Sequence, residues 1–343
     1  MVRLTLESDV EVQKQEPPKK RGLSGFFERV SAGTSDSFFE VLVTAVGCAV
    51  IVVLAVAAVV LARGSAPALQ KFGFQFVFGS DWSTSLGSEA YGALPYILGT
   101  LVTSAIAIAI GVPISLGIAI FLSEMAPGPL RSPLSQVVEL LAAVPSVVYG
   151  FWGLEVLSTW MSNNVEIPLT TYLGSVPIFK SSGSGGFDLL TAGTILAIMI
   201  IPTVSAISRE VMTSVPSSQR EAAYSLGATR WEVIRMSVVN YSRSGIFGAG
   251  ILGLGRAIGE TMAVTMVIGN AVGPGALPTS LLRPGETLAS LIAIKFGGEI
   301  SGQYFVPALI GMGLVLFAFA FLINIFAQLM VTRVLKVTGG RIQ

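Results

Sequence analysis

The chain has 343 residues, 52% of them hydrophobic and only 12% charged, with a formal net charge of +1. Charges gathered in a few places leave long stretches suited to lipid, which excludes an ordinary water-soluble domain and points to a polytopic membrane protein. There is no histidine, and the single cysteine, Cys48, sits in an apolar run. An internal disulfide is therefore excluded, the usual zinc, haem and iron–sulfur ligand sets lack members, and no metal or cofactor is expected.

Residues 1–37 are polar and charged, carry a basic cluster from Pro17 to Arg21, and lack the early apolar core of a cleavable signal peptide. They read as a cytoplasmic tail whose basic residues either set topology or touch anionic headgroups or a regulator. An all-α membrane domain is predicted over 38–332, with six spans at about Phe38 to Ala62, Leu94 to Ser123, Leu134 to Thr159, Asp188 to Ser208, Ser244 to Val272 and Tyr304 to Thr332. Residues 333–343 close the chain as a second cytoplasmic tail. Trp82, in the outer segment after the first span, is expected to anchor at the interface. Glu139, near the start of the third span, is expected to snorkel there. Pro145 and Ser146 should break that span midway, which makes it a candidate pathway wall or a packing feature. Lys and Arg favour the side holding both ends by roughly three to one, so both termini are expected in the cytoplasm. No GxxxxGK[ST] loop is present, and the chain is not expected to hydrolyse ATP itself.

The fifth predicted span, GIFGAGILGLGRAIGETMAVTMVIGN, carries Arg256 and Glu260. Either charge at a bilayer centre costs roughly 3 kcal/mol, so each should face protein or water. Four residues apart on one helix, they would share a face. Two readings are open. Arg256 could pair with Glu260, or with Glu139 or Glu155 of the third span, to hold helices together. Alternatively its planar fork attracts an oxyanion, with Glu260 steadying it and opposing over-tight binding. Gly255 and Gly259 form a GxxxG step suited to close helix packing, and Asn324 and Gln328 in the last span suit interhelical hydrogen bonding.

Residues 209–243 form the largest predicted cytoplasmic loop. Within it, Ala222, Ala223, Leu226, Trp231 and Ile234 suggest two short helices broken at Gly227. Such an element can lie along the headgroups or enter a groove on a soluble partner.

Here the chain resembles a family. Glu221, Ala222, Ala223 and Gly227 match the EAA…G signature of permease subunits of bacterial ABC importers. From about residue 70 onward, YGALPYILGTLVTS (Tyr91 to Ser104), VELLAAVPSVVYGFWG (Val138 to Gly153) and GLGRAIGETMAVTMVIGN (Gly253 to Asn270) look like the PstC-type permease of phosphate-specific ABC transporters. The resemblance implies the ABC importer permease (MetI-like) fold, a place in the bacterial inner (plasma) membrane, and half of a pathway for inorganic phosphate. It also implies a homologous PstA-type permease, a cytoplasmic ATPase dimer coupled through the EAA loop, and an extracytoplasmic phosphate-binding protein. Arg256 and Glu260 match residues that such permeases need for transport. No catalytic residue of its own and no nucleic-acid partner are expected. The alternatives are a permease for sulfate or molybdate, or a proton-coupled secondary transporter using Glu260. Val239 and Asn240 stand where the family often has Leu-Pro, so the helix there is expected to run on smoothly.

Overall fold

The computed structural model describes residues 35–85, 87–298 and 302–336, with side chains between Phe38 and Leu329. The basic cluster from Pro17 to Arg21 and the tail beyond Lys336 lie outside the described residues.

Helix α1, Ser35–Phe72, runs well past the expected end at Ala62. Through Ala57 it is a unit of its own whose valine and leucine side chains are exposed, the surface that lipid solvates. From Ala58 the helix belongs to the main body, where Ala68 is buried with Phe76 of the short α2, Phe74–Phe78. The same cluster takes in Tyr91, Tyr96 and Leu309 of the closing helix, called α12 below. Two two-residue strands, β1 (Trp82–Ser83) and β2 (Ala90–Tyr91), pair antiparallel and are the one departure from all-α among the described residues. Trp82, half-buried, packs edge-on to the rings of Tyr91 and Tyr96.

The centre of the main body is α3 packed on α6. Helix α3, Leu94–Ile120, continues through a π-helical turn to Met125. Thr103, Ala107, Gly111, Ser115 and Ala119 recur every fourth residue and are all buried, so α3 presents one narrow face of small side chains. Helix α6, Leu189–Thr213, fits against it: a Cβ at Gly111 would lie 2.8 Å from the Ile200 side chain, and one at Gly193 would lie 2.6 Å from Ile106. Ser115 donates to its own helix at Gly111 O (2.6 Å) and across to Ile201 O (3.3 Å). Asp188 caps α6 by accepting from Thr191 N at 2.9 Å.

The predicted third span divides as its proline implied. Helix α4, Gly128–Ala142, and α5, Ser146–Leu173, meet at an 88° bend. Pro145 lacks the N–H the helix would need and biases Val144 out of the helical region. Helix α5 continues to Leu173, past the expected end at Thr159. Glu139 on α4 pairs with Arg209 at 2.7 Å. The predicted fifth span is also divided, into α9 (Arg243–Gly259) and α10 (Met262–Val267). Helix α11, Leu288–Phe296, lies in a segment expected to be loop, and α12 spans Phe305–Lys336. Among the described residues four helices are long and apolar enough to cross a membrane, or five if the bent pair is one span, rather than the six expected. The shortfall falls on residues 244–272, where a continuous apolar run is not a continuous helix.

Gly99 of α3 sits so close to the Glu286 carbonyl that a Cβ there would overlap it, whereas Gly117 on the same helix has no atom within 4 Å. Gly99→Ala is expected to destabilise the fold by about 1–3 kcal/mol. In detergent its thermal midpoint should fall by a few degrees, with Gly117→Ala as the unaffected control.

Candidate functional site

Arg256 lies in the last turn of α9, half-exposed, and its Nη1 donates to Thr203 Oγ1 on α6 at 3.0 Å. Among the described residues no carboxylate comes within 4.0 Å of its guanidinium. The expected shared face with Glu260 is absent, because the helix stops at Gly259 and Glu260 is extended, with φ −70° and ψ 130°. The Glu260 carboxylate instead serves the start of α10: Oε1 accepts from Thr261 N at 3.1 Å and Ala263 N at 3.4 Å. Each charge thus sits at the helix end whose partial charge opposes its own, the cation by a C-terminus and the anion by an N-terminus. The structure keeps the two residues as neighbours along the chain but does not make them an ion pair. Glu155 is exposed and Glu139 is taken by Arg209, so neither carboxylate of the predicted third span pairs with Arg256.

The glycines around the pair divide by role. Close packing falls to Gly245 and Gly253, where a Cβ at Gly253 would meet Val204 at 2.6 Å. The GxxxG step does no such work: Gly255 finds only Asn324 Oδ1 at 3.8 Å, and Gly259 finds nothing within 4 Å. Asn324 itself donates to Ala320 O on its own helix. Gly248 and Gly259 are open, and Phe247 and Leu252 are exposed, so one flank of α9 has no cover from the other described residues. Thr203, which holds Arg256, was not anticipated; a threonine beside Pro202 in an apolar run gives no separate signal.

The loop carrying Glu221, Ala222, Ala223 and Gly227 folds as two short helices, α7 (Ser217–Ser225) and α8 (Arg230–Val233). Gly227 has φ +83°, and Gly227 N donates to Tyr224 O (2.9 Å) while Ala228 N donates to Ala223 O (3.2 Å). That bond pair closes a helix around a left-handed residue, which only glycine adopts without strain. Thr229 and Glu232 then form a capping box that opens α8 and holds the Glu232 carboxyl below its usual range. Ala223 is buried, Glu221 and Ala222 are exposed, and Leu226 stands out with 89% of its surface free. Exposed Tyr224 and Trp231 flank it, an apolar tip on an otherwise polar loop. A π-helical stretch, Ile234–Val239, carries the chain on through Asn240, as the absence of proline there implied.

A cavity of about 440 Å³ between Phe72 and Gly92 includes neither charged residue of the divided span. Glu286, 1% exposed, lies between α10 and α11 and accepts from the Ser290 hydroxyl. Burial pushes its carboxyl from about 4.5 up to about 7, against the opposing pull of Ser290 and Lys295. A raised folded value means that the folded state holds the proton longer than the unfolded state. Its stabilising share is full below about 4.5 and is lost as pH rises to about 7. Hydrogen exchange at the Ser290 and Leu291 amides, corrected for intrinsic rates, should be slower at pH 5 than at pH 8. Glu286→Gln should remove the difference.

Residues 111–336 match the family described as "Binding-protein-dependent transport system inner membrane component". The chain is similar to the phosphate transport system permease protein PstC of Mesorhizobium japonicum, 43% identical over 89% of this chain and 93% of that one. It is likewise similar to the PstC protein of Pasteurella multocida, 45% identical over 85% of this chain and 91% of that one. Among solved structures it shares its fold with a chain of a bacterial ABC transporter involved in import of the acidic polysaccharide alginate. The TM-score is 0.50 at 17% identity, covering 70% of this chain and 79% of that one.

Proposed function

The chain belongs to the family of binding-protein-dependent transport system inner membrane components, among its PstC phosphate permeases, and from that premise we propose how its residues divide the task. It is a multi-pass permease subunit of an ABC importer for inorganic phosphate, a transport component and not itself an enzyme. ATPase subunits and a soluble binding protein are its partners in such a machine.

Arg256 is the anion-attracting group of the pathway. The observation that carries this is a half-exposed guanidinium at a break in an apolar span, bonded to a threonine and, among the described residues, to no carboxylate. Its fork can give two parallel hydrogen bonds to a phosphate without first being freed from an ion pair. Thr203 keeps it aimed. Glu260, committed to the start of α10, adds a negative charge near the path that keeps the anion from binding too tightly to leave. The open flank of α9 at Gly248, Leu252 and Gly259 fits a second, PstA-type permease that supplies the other half of the pathway. The basic-residue bias supports cytoplasmic ends, and so a cytoplasmic α7–α8 loop that enters an ATPase dimer by Leu226 and its neighbours, with Glu221, Ala222, Ala223 and Gly227 shaping it.

In proteoliposomes holding the assembled transporter, Arg256→Ala should reduce ATP-dependent phosphate uptake about 10- to 100-fold, the value of lost charge-assisted hydrogen bonds, with assembly intact. Glu260→Ala should likewise impair uptake. Wild-type rates in both would remove the pair from the pathway. Gly227→Trp, strained at φ +83°, should weaken co-purification of the ATPase or leave hydrolysis running without uptake. Normal coupling in that variant would refute the docking role.

A further inference from the structure

The final turn of α3 is the meeting point of three arginines. Arg220 of α7 donates from Nη2 to Glu124 Oε1 at 2.9 Å. The same guanidinium donates to Met212 O at 3.0 Å in the last turn of α6 and to Val215 O at 2.6 Å just beyond it. Arg230 of α8 donates to Glu124 O, and Arg131 of α4 donates to Ser123 O at 2.6 Å. Beneath them Ala119, Met212, Val215 and Val238 are buried together, with Ser123 Oγ 3.6 Å from Met212 Sδ. The loop, α3 and α6 therefore share one small core as well as one set of hydrogen bonds.

Exposed ion pairs contribute little because water screens them and side-chain entropy opposes them. This one is shielded: the Glu124 and Arg220 side chains are only 13% and 22% exposed, against 56% for Glu139 in its pair with Arg209. A fork filled by three acceptors has little freedom to turn, and separating it from Glu124 would strand a charge in a poorly hydrated place. Helix α7 cannot shift by an ångström or two against α3 and α6 without breaking these bonds. It moves with them.

We infer that Glu124 and Arg220 are positioning residues for transport, the joint through which displacement of the α7–α8 loop is carried into α3 and α6. The inference rests on the proposed docking of that loop on the ATPase, and the experiment separates the two. The full transporter, with its second permease, ATPase subunits and binding protein, is reconstituted, and inorganic phosphate moved per ATP hydrolysed is measured. Docking is followed independently, in a Cys48→Ser background, by a photo-reactive maleimide on Leu226→Cys that cross-links to the ATPase. Glu124→Ala should lower the phosphate moved per ATP about tenfold, within the usual range of coupling energies, while hydrolysis and the cross-link persist. Glu124→Gln, which keeps the shape but not the charge, should show a smaller loss, and Glu124→Asp should stay near wild type. An unchanged ratio in the Ala and Gln variants would overturn the joint. So would a Gln variant whose lost uptake is fully explained by lost assembly. Absence of the cross-link in the otherwise wild-type transporter would overturn the docking assignment itself.

Discussion

Inside a bilayer every charge and every backbone polar group must find its partner within the protein or in a water-filled path. At Gly259–Met262 this chain violates continuity twice over, by stopping a helix and by carrying two charges near the stop. The two violations resolve each other. The freed N–H groups at the start of α10 are met by the Glu260 carboxylate, and Arg256 lies in the last turn of α9, where the carbonyls of a helix end concentrate negative potential. Neither charge would be tolerated on an unbroken helix facing lipid, and the break would be poorly tolerated without them. An irregular backbone at such depth belongs against protein or a water-filled cavity and not against lipid, a requirement that the proposed pathway would meet.

Helix α6 carries the consequences outward. It is the most enclosed span, its apolar face filled by Ile195, Leu196, Ile200 and Val204. It holds Arg256 through Thr203, and its far end gives Met212 O, with Val215 O just beyond it, to Arg220. Thr203 and Met212 are nine residue steps apart, about 14 Å along a rod. Close seats at Gly111, Gly193, Gly245 and Gly253 leave that rod little room to slip against α3 or α9. On the proposed coupling, one stiff element joins the loop to the arginine.

Much of this was legible before any coordinates. Apolar runs locate the long helices, Pro145 marks its bend, and Gly227 marks the turn between α7 and α8, because each follows from local backbone chemistry. What escaped the sequence was set by distant contacts. The apolar run from Ser244 to Val272 gives no sign of stopping at Gly259, since Glu260 is as good a helix former as its neighbours and only its bonds to Thr261 and Ala263 reveal a cap. The small helix α11 was hidden in a segment read from its prolines and glycines, although Thr287 and Ser290 carry capping-box chemistry. Glu124 and Thr203 gave no signal because their partners lie 96 and 53 residues away in the chain.

An importer must release what it attracts, and the bonding of Arg256 bears on that requirement. Were the guanidinium held by a carboxylate, an arriving phosphate would have to displace a charged partner and leave it buried alone, a loss of several kcal/mol. Held by a neutral hydroxyl at 3.0 Å, it can bind the anion after giving up only one ordinary hydrogen bond and can take that bond back afterwards. In the proposed pathway the carboxylate of Glu260 works in the other direction, opposing over-tight binding of an anion at the arginine. On the proposed roles of the two residues, attraction and release oppose each other within this chain, and the direction of transport has to come from elsewhere. The loop of α7 and α8, bolted to α3 and α6 through Glu124 and Arg220, is where an external source of work can enter.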